Sequence, residues 1–148
     1  MAGNVIYRGP IQSEPQTVSD KTVAGAYLPG ILVTESATEM TVATATDIEA
    51  DLLVLSNRRF YDQGVTTAYA AGETGVAYRP QPGEVYQVRL AAATYAKGDK
   101  LTVGASGYLT KTGLSERVVA TFDDTPGALT AGALADVRIA NSFMTASA

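Results

Sequence analysis

The side chains best suited to chemistry or recognition cluster at Arg58-Arg59-Phe60-Tyr61. Two guanidinium groups beside two aromatic rings have the composition of a protein-interface hot spot. They would also suit stacking of nucleic-acid bases. The plain structural reading is a strand end whose Arg stems pack over the domain. A second cluster is Asp47, Glu49 and Asp51, which would share one face of a strand. Three carboxylates could hold Ca²⁺, but the glycine and distal Glu of an EF-hand loop are missing. A solvated polar face is the simpler expectation. Asp123-Asp124 precedes Thr125-Pro126-Gly127, and reads as turn chemistry.

Other chemistry is excluded by composition. The chain has no Cys and no His, so Ser-His-Asp and Cys-His mechanisms are out, as are thiolate metal sites and the usual switch near neutral pH. There is no Ser-x-x-Lys motif. The 15 acids are scattered, and no pair stands out for two-carboxylate catalysis. Gly72-Glu73-Thr74-Gly75 and Gly104-Ala105-Ser106-Gly107 are not phosphate loops, since no Gly-Lys-Ser/Thr follows either. The expectation is no catalytic residue, no cofactor and no metal.

The elements around these residues read as β. At 148 residues the chain fits one domain, and 46% hydrophobic with 18% charged residues is a globular balance. Tyr86, Val88 and Leu90 point one way while Gln87 and Arg89 point the other. Val118, Ala120 and Phe122 alternate in the same manner, and Val137 and Ile139 mark a last strand. Leu101 and Val103, the Gly104–Gly107 loop and Tyr108-Leu109-Thr110 form a hairpin signature. Pro29-Gly30 favours a type II turn between Tyr27-Leu28 and Ile31-Leu32-Val33. Ala91-Ala92-Ala93 could start a helix, but Gly98 stops it within two turns. The fold class is therefore all-β: a small single-domain β-barrel or β-sandwich with short turns.

The expected division is an N-terminal arm at 1–22, a β domain at 23–141 and a short C-terminal tail at 142–148. In the arm, Val5-Ile6-Tyr7 is β-prone, and Gly9-Pro10 and Pro15 break any regular continuation of it. It could pack on its own domain or lie on a neighbour. The expectation is that Ala2 to Gln16 carries partner contact, with Val5, Ile6, Tyr7 and Arg8 adding to a neighbour's sheet edge. Arg58, Arg59, Phe60 and Tyr61 form the second candidate surface. The net charge of −4 and pI near 4.7 argue against nucleic acid. The longest aliphatic run, Leu52-Leu53-Val54-Leu55, is far below the ~20 residues of a membrane span. No signal peptide is legible at the start, so synthesis in a host cytoplasm is expected.

Four stretches together resemble the capsid decoration, or cement, proteins of tailed bacteriophages. They are Leu28-Pro29-Gly30, Asn57 through Gly64, Tyr95-Ala96-Lys97-Gly98-Asp99-Lys100-Leu101-Thr102-Val103, and Ala133 through Ala140. The resemblance covers roughly residues 15–142. It implies a β-rich, non-enzymatic structural protein on the outer surface of the virion capsid. Its implied partners are the major capsid protein and itself, as a homotrimer or a dimer, with no nucleic acid and no membrane. A tail or fibre β-domain is an alternative virion component, and a carboxylate-dependent glycosidase is the enzymatic one.

Overall fold

The computed structural model describes residues 3–12, 14–47 and 50–145. Ala2 and Ser13 of the expected arm, Glu49 of the acidic triplet and tail residues 146–148 lie outside the described residues. Fourteen strands are described: β1 Tyr7–Gly9, β2 Gln16–Val18, β3 Thr22–Val23, β4 Leu32–Glu35, β5 Glu39–Val42, β6 Leu53–Ser56, β7 Val76–Arg79, β8 Val85–Leu90, β9 Ala93–Tyr95, β10 Lys100–Val103, β11 Leu109–Lys111, β12 Arg117–Phe122, β13 Gly127–Leu129 and β14 Ala133–Met144. Helix is confined to two three-residue 3-10 turns among the described residues, at Arg59–Tyr61 and Ala105–Gly107. The all-β expectation holds. The Ala91–Ala93 stretch starts no helix, because Ala93–Tyr95 pairs as β9 with β13.

Five strands close into a barrel. β8 pairs with β14, β14 with β12, β12 with β10, β10 with β11, and β11 returns to β8 in parallel at Leu109↔Leu90. The period-2 residues Tyr86, Val88, Leu90, Ala120, Phe122 and Val137 are all buried in one core, as the alternation demands. The expected hairpin is present with Val103 opposite Leu109.

The second sheet runs β2-β7-β6-β4-β5-β3. Its ends approach each other, since β3 also bridges Thr22 to Thr74 and Gly75 N–H donates to the Lys21 carbonyl at 2.9 Å. This rolled sheet encloses a smaller core of Val23, Val33, Met40, Leu53 and Leu55. Leu32, Leu52 and Val54 point the opposite way, into the core shared with the barrel. β6 is thus buried on both faces, which is why its sequence is unbroken aliphatic rather than alternating.

Of the two placements open to the N-terminal arm, the structure shows packing on its own domain, not addition of Val5, Ile6, Tyr7 and Arg8 to a neighbour's sheet edge. Tyr7–Gly9 pairs antiparallel with β8 of its own domain, and Gln16–Val18 pairs with β7. The reason lies in the free edge of β8. That edge is filled piecewise: Gln87 N–H donates to Ile6 O at 2.7 Å, Arg89 N–H to Gly30 O at 2.8 Å and Ala91 N–H to Leu109 O at 2.8 Å. Without Ile6 and Gly30, the N–H groups of the buried Gln87 and Arg89 would lack acceptors. At the other end, β14 continues past residue 141 to Met144, and Thr145 N–H donates to Glu116 O at 2.8 Å.

Glu35 ties the rolled sheet together electrostatically. Its carboxylate accepts a hydrogen bond from Arg79 and lies 3.4 Å from Lys21 Nζ. The Arg79 hydrogen bond, followed by the charges around it, holds Glu35 below the usual carboxylate range, against an opposing effect of burial. A carboxylate held low in the fold stabilises it above the unfolded value, and that contribution is lost as pH falls through the depressed folded value. E35Q should therefore cost about 0.5–1 kcal/mol at neutral pH. The deficit should close in strong acid, near about pH 2. Urea unfolding at both pH values checks this; an equal deficit at the two would refute the ion-pair origin.

Candidate interaction surface

The Arg58–Tyr61 segment follows β6, and the two arginines have different roles. Asn57 is buried and donates from Nδ2 to Gln63 O at 2.7 Å, closing the loop at its base. Gln63 Oε1 accepts from Arg58 N–H at 2.9 Å and from Arg58 Nε at 3.2 Å, while Gln63 Nε2 donates to Thr67 O at 2.9 Å. Arg58 Nη2 meets Glu73 Oε2 at 3.0 Å, and the guanidinium lies 4.8 Å from the Tyr69 ring centre and 5.3 Å from that of Tyr61. Glu73 is held below its usual range by the Ala70 N–H first and by Arg58 second. Burial pushes the Tyr69 hydroxyl up, and that hydroxyl donates to Ser56 O at 2.6 Å. Arg58 is thus a fastening residue.

Arg59, Phe60 and Tyr61 form the tip. The chain leaves their 3-10 turn through Asp62 at φ 56°. Phe60 is 79% exposed and Tyr61 72% exposed, with ring centres 5.5 Å apart. Two shallow grooves of about 430 and 470 Å³ flank Phe60; the second is lined by Thr17, Asn57, Arg59, Val76 and Tyr78. The result is an aromatic knob on a hydrogen-bonded base.

The other candidate residues lie on β1 and just before it. Ile6 is buried and Val5 half-buried, and both carbonyls are engaged by Gln87: Ile6 O by its backbone N–H, Val5 O by Nε2 at 3.2 Å. Tyr7 packs in a cluster with Tyr78 and Tyr86, tilted against the first at 6.1 Å and edge-on to the second at 5.3 Å between ring centres, and its hydroxyl donates to Pro10 O at 2.7 Å. Arg8 is exposed and lies 3.3 Å from Asp136. Val5, Ile6 and Tyr7 are therefore committed to their own domain. Beside them runs a shallow groove of about 590 Å³, with Val5, Tyr7, Ile11, Pro15 and Val85 as its apolar wall, Glu14 and Asp136 as its acids, and Arg8, paired with Asp136, as its cation. Tyr7 and Tyr78 connect this groove to the knob.

The clustered acids among the described residues are engaged by backbone N–H groups or by cations. Asp47 accepts from Thr44 N–H at 2.7 Å, and Asp51 stands exposed, 4.0 Å from Arg79. Asp123 pairs with Lys97 at 3.2 Å and Arg138 at 2.9 Å. Asp124 accepts from the Thr125 and Asp136 N–H groups at 2.7 and 2.9 Å, the turn role expected of it. Burial pushes Asp136 up, and Arg8 draws it back down. No group of three or more potential metal ligands occurs among the described residues.

Sequence reasoning missed Gln87, Arg89, Ile11 and Tyr78. The alternation put Gln87 and Arg89 on the polar face of β8, yet they are only 2% and 8% exposed. Gln87 donates to Gly3 O at 2.7 Å and accepts from Gly3 N–H at 3.0 Å. Two long polar side chains flanking Val88 in an otherwise apolar strand were the available signal.

No protein-family model and no curated protein matches this sequence. Among solved structures, the chain is similar to the N base of the head fiber protein gp8.5 of bacteriophage phi29. The TM-score is 0.58, covering 86% of this chain and 97% of that one, at 19% identity. At that identity the likeness is one of fold. It spans both the barrel and the rolled sheet, so the pairing of the two is a shared architecture.

Proposed function

We propose that this chain is a non-enzymatic structural protein of a bacteriophage virion that sits on the outer surface of the capsid. There it binds the major capsid protein as a homo-oligomer, a trimer by the sequence resemblance, and stabilises contacts between neighbouring subunits. The observation that carries the reading is the fold shared with a head-fiber base along almost the whole of that chain. The sequence resemblance, drawn from different stretches, points the same way. The chemistry agrees: a chain without Cys or His, whose clustered acids are tied to cations and backbone N–H groups, has its polar groups invested in rigidity. A rigid oligomer touching several subunits at once gains avidity from modest individual contacts.

The same fold match favours a second reading on the same particle, in which the domain is the base of a head fibre. Both readings place the chain on the head; they differ in whether the shell needs it. The test is heat challenge of heads from the encoding phage, with and without the protein, alongside binding to purified heads and tails. The cement reading expects binding to heads and a higher disruption temperature. Binding to heads with unchanged shell stability selects the fibre base, and binding to tails alone defeats both.

A further inference from the structure

We propose that the knob of one copy, Arg59-Phe60-Tyr61, docks in the groove lined by Ile11, Glu14 and Pro15 of a second copy of this chain. The two surfaces are complementary in charge and in shape. Among the described residues, Arg59 is the one cation whose side chain has no carboxylate, carbonyl or ring partner. It stands beside two of the most exposed aromatic rings of the protein. The groove offers the counterparts: Glu14 is an exposed carboxylate without an ion-pair partner among the described residues, set among Val5, Tyr7, Ile11 and Pro15. Ile11 is 95% exposed, the most open large apolar side chain described. One contact would cover Ile11, Phe60 and Tyr61 together and give Arg59 its acid. The base formed by Asn57, Arg58, Gln63 and Glu73 holds the knob ready, so little ordering is left for association.

Position supports a closed assembly. Tyr7 lines the docking groove, Tyr78 lines a groove beside Phe60, and the Tyr7 and Tyr78 ring centres are 6.1 Å apart. Knob and groove therefore stand on one side of the molecule. A knob and a groove at different places on one chain make a heterologous contact, which forms a ring where the rotation between copies closes. This inference rests on the self-association within the function proposed above and is independent of its capsid part.

A charge exchange on the full chain tests it. R59E, E14R and the double variant R59E/E14R are compared with the parent by sedimentation velocity across a concentration series and by native mass spectrometry. Both substitutions are on exposed side chains, and unchanged thermal melts establish that folding is intact. The parent is expected to associate. Each single variant should weaken association roughly tenfold or more, and the double variant should restore it, because the ion pair is rebuilt with its sense reversed. F60S should weaken association while leaving the melt unchanged. A parent that stays monomeric at the highest concentration overturns the proposal, as do single variants that associate like the parent or a double variant without rescue. If R59E loses head binding while self-association is intact, Arg59 serves another protein and the proposal fails. Head binding by a monomeric parent would spare the capsid reading while removing this one.

Discussion

Replacing Arg89 with Met should lower the stability of the protein by about 3–5 kcal/mol. Arg89 is buried on the outer face of β8, and its guanidinium donates to three backbone carbonyls from three separate segments. The distances are 2.8 Å from Nε to Pro29 O, 2.7 Å from Nη1 to Gly132 O and 2.7 Å from Nη2 to Val65 O. Replacing a buried charge by an apolar group is sometimes neutral, because a desolvation penalty disappears with it. Here the acceptors are main chain and remain. Each carbonyl left without a donor costs about 1–3 kcal/mol, and three such losses outweigh the relief. Burial draws the Arg89 pKa downward, yet a guanidinium keeps its proton throughout the accessible range. The deficit should therefore be independent of pH. Lys cannot reproduce the planar fork, so R89K should fall between the parent and R89M. In a domain with roughly 5–15 kcal/mol in total, the melting temperature should drop by about 10 °C or more. Urea and thermal unfolding measure both; a loss below about 1 kcal/mol would show that water or a shifted segment satisfies the carbonyls.

The second large effect is expected at Gly107, in the turn between β10 and β11. This glycine has φ +71°, a region L side chains adopt with strain. A Cβ there would lie 2.5 Å from Leu32 O, 3.1 Å from Val42 Cγ2 and 3.2 Å from Ile31 Cβ. The nearest atom is backbone, and Leu32 O already accepts the Ala43 N–H at 3.0 Å, so it cannot give way without breaking the rolled sheet. The position is the seam where the barrel's hairpin presses on β4. G107A should cost about 2–4 kcal/mol. Gly98 provides the control. It has φ +88° but nothing within 4 Å of a built Cβ, so G98A should lose only the conformational part, about 1 kcal/mol. Equal losses for the two variants would mean that close packing at the seam contributes nothing.

Three features were determined by the amino-acid sequence alone. The alternation of Tyr86, Val88 and Leu90, and of Ala120 and Phe122, specified strands and their inward faces; at Val118 a register shift breaks the pattern, and Val119 joins the core instead. The Gly-bounded loop at 104–107 specified a hairpin between Leu101–Val103 and Leu109–Thr110. The absence of Cys and His removed whole classes of chemistry. These are local properties: side-chain period, turn geometry and residue type act over a few neighbours. The tertiary structure decided what covers each face. Period 2 reports that Gln87 and Arg89 share a side of β8, but their burial depends on Gly3–Ile6 and Pro29-Gly30, which lie some 60 to 84 residues away. Likewise, Val5-Ile6-Tyr7 was legible as β-prone, but the strand that forms is Tyr7–Gly9, and its partner was not legible. The edge of β8 that it completes exists only once the barrel has closed through the parallel contact of β11. The Arg58–Tyr61 cluster shows the same limit. Its composition marked four interaction-capable side chains, but only the fold, by placing Gln63, Tyr69 and Glu73 around Arg58, separated the arginine that fastens the loop from the one left free at its tip. Long-range packing makes that division, because it assigns partners that no local spacing in the chain records.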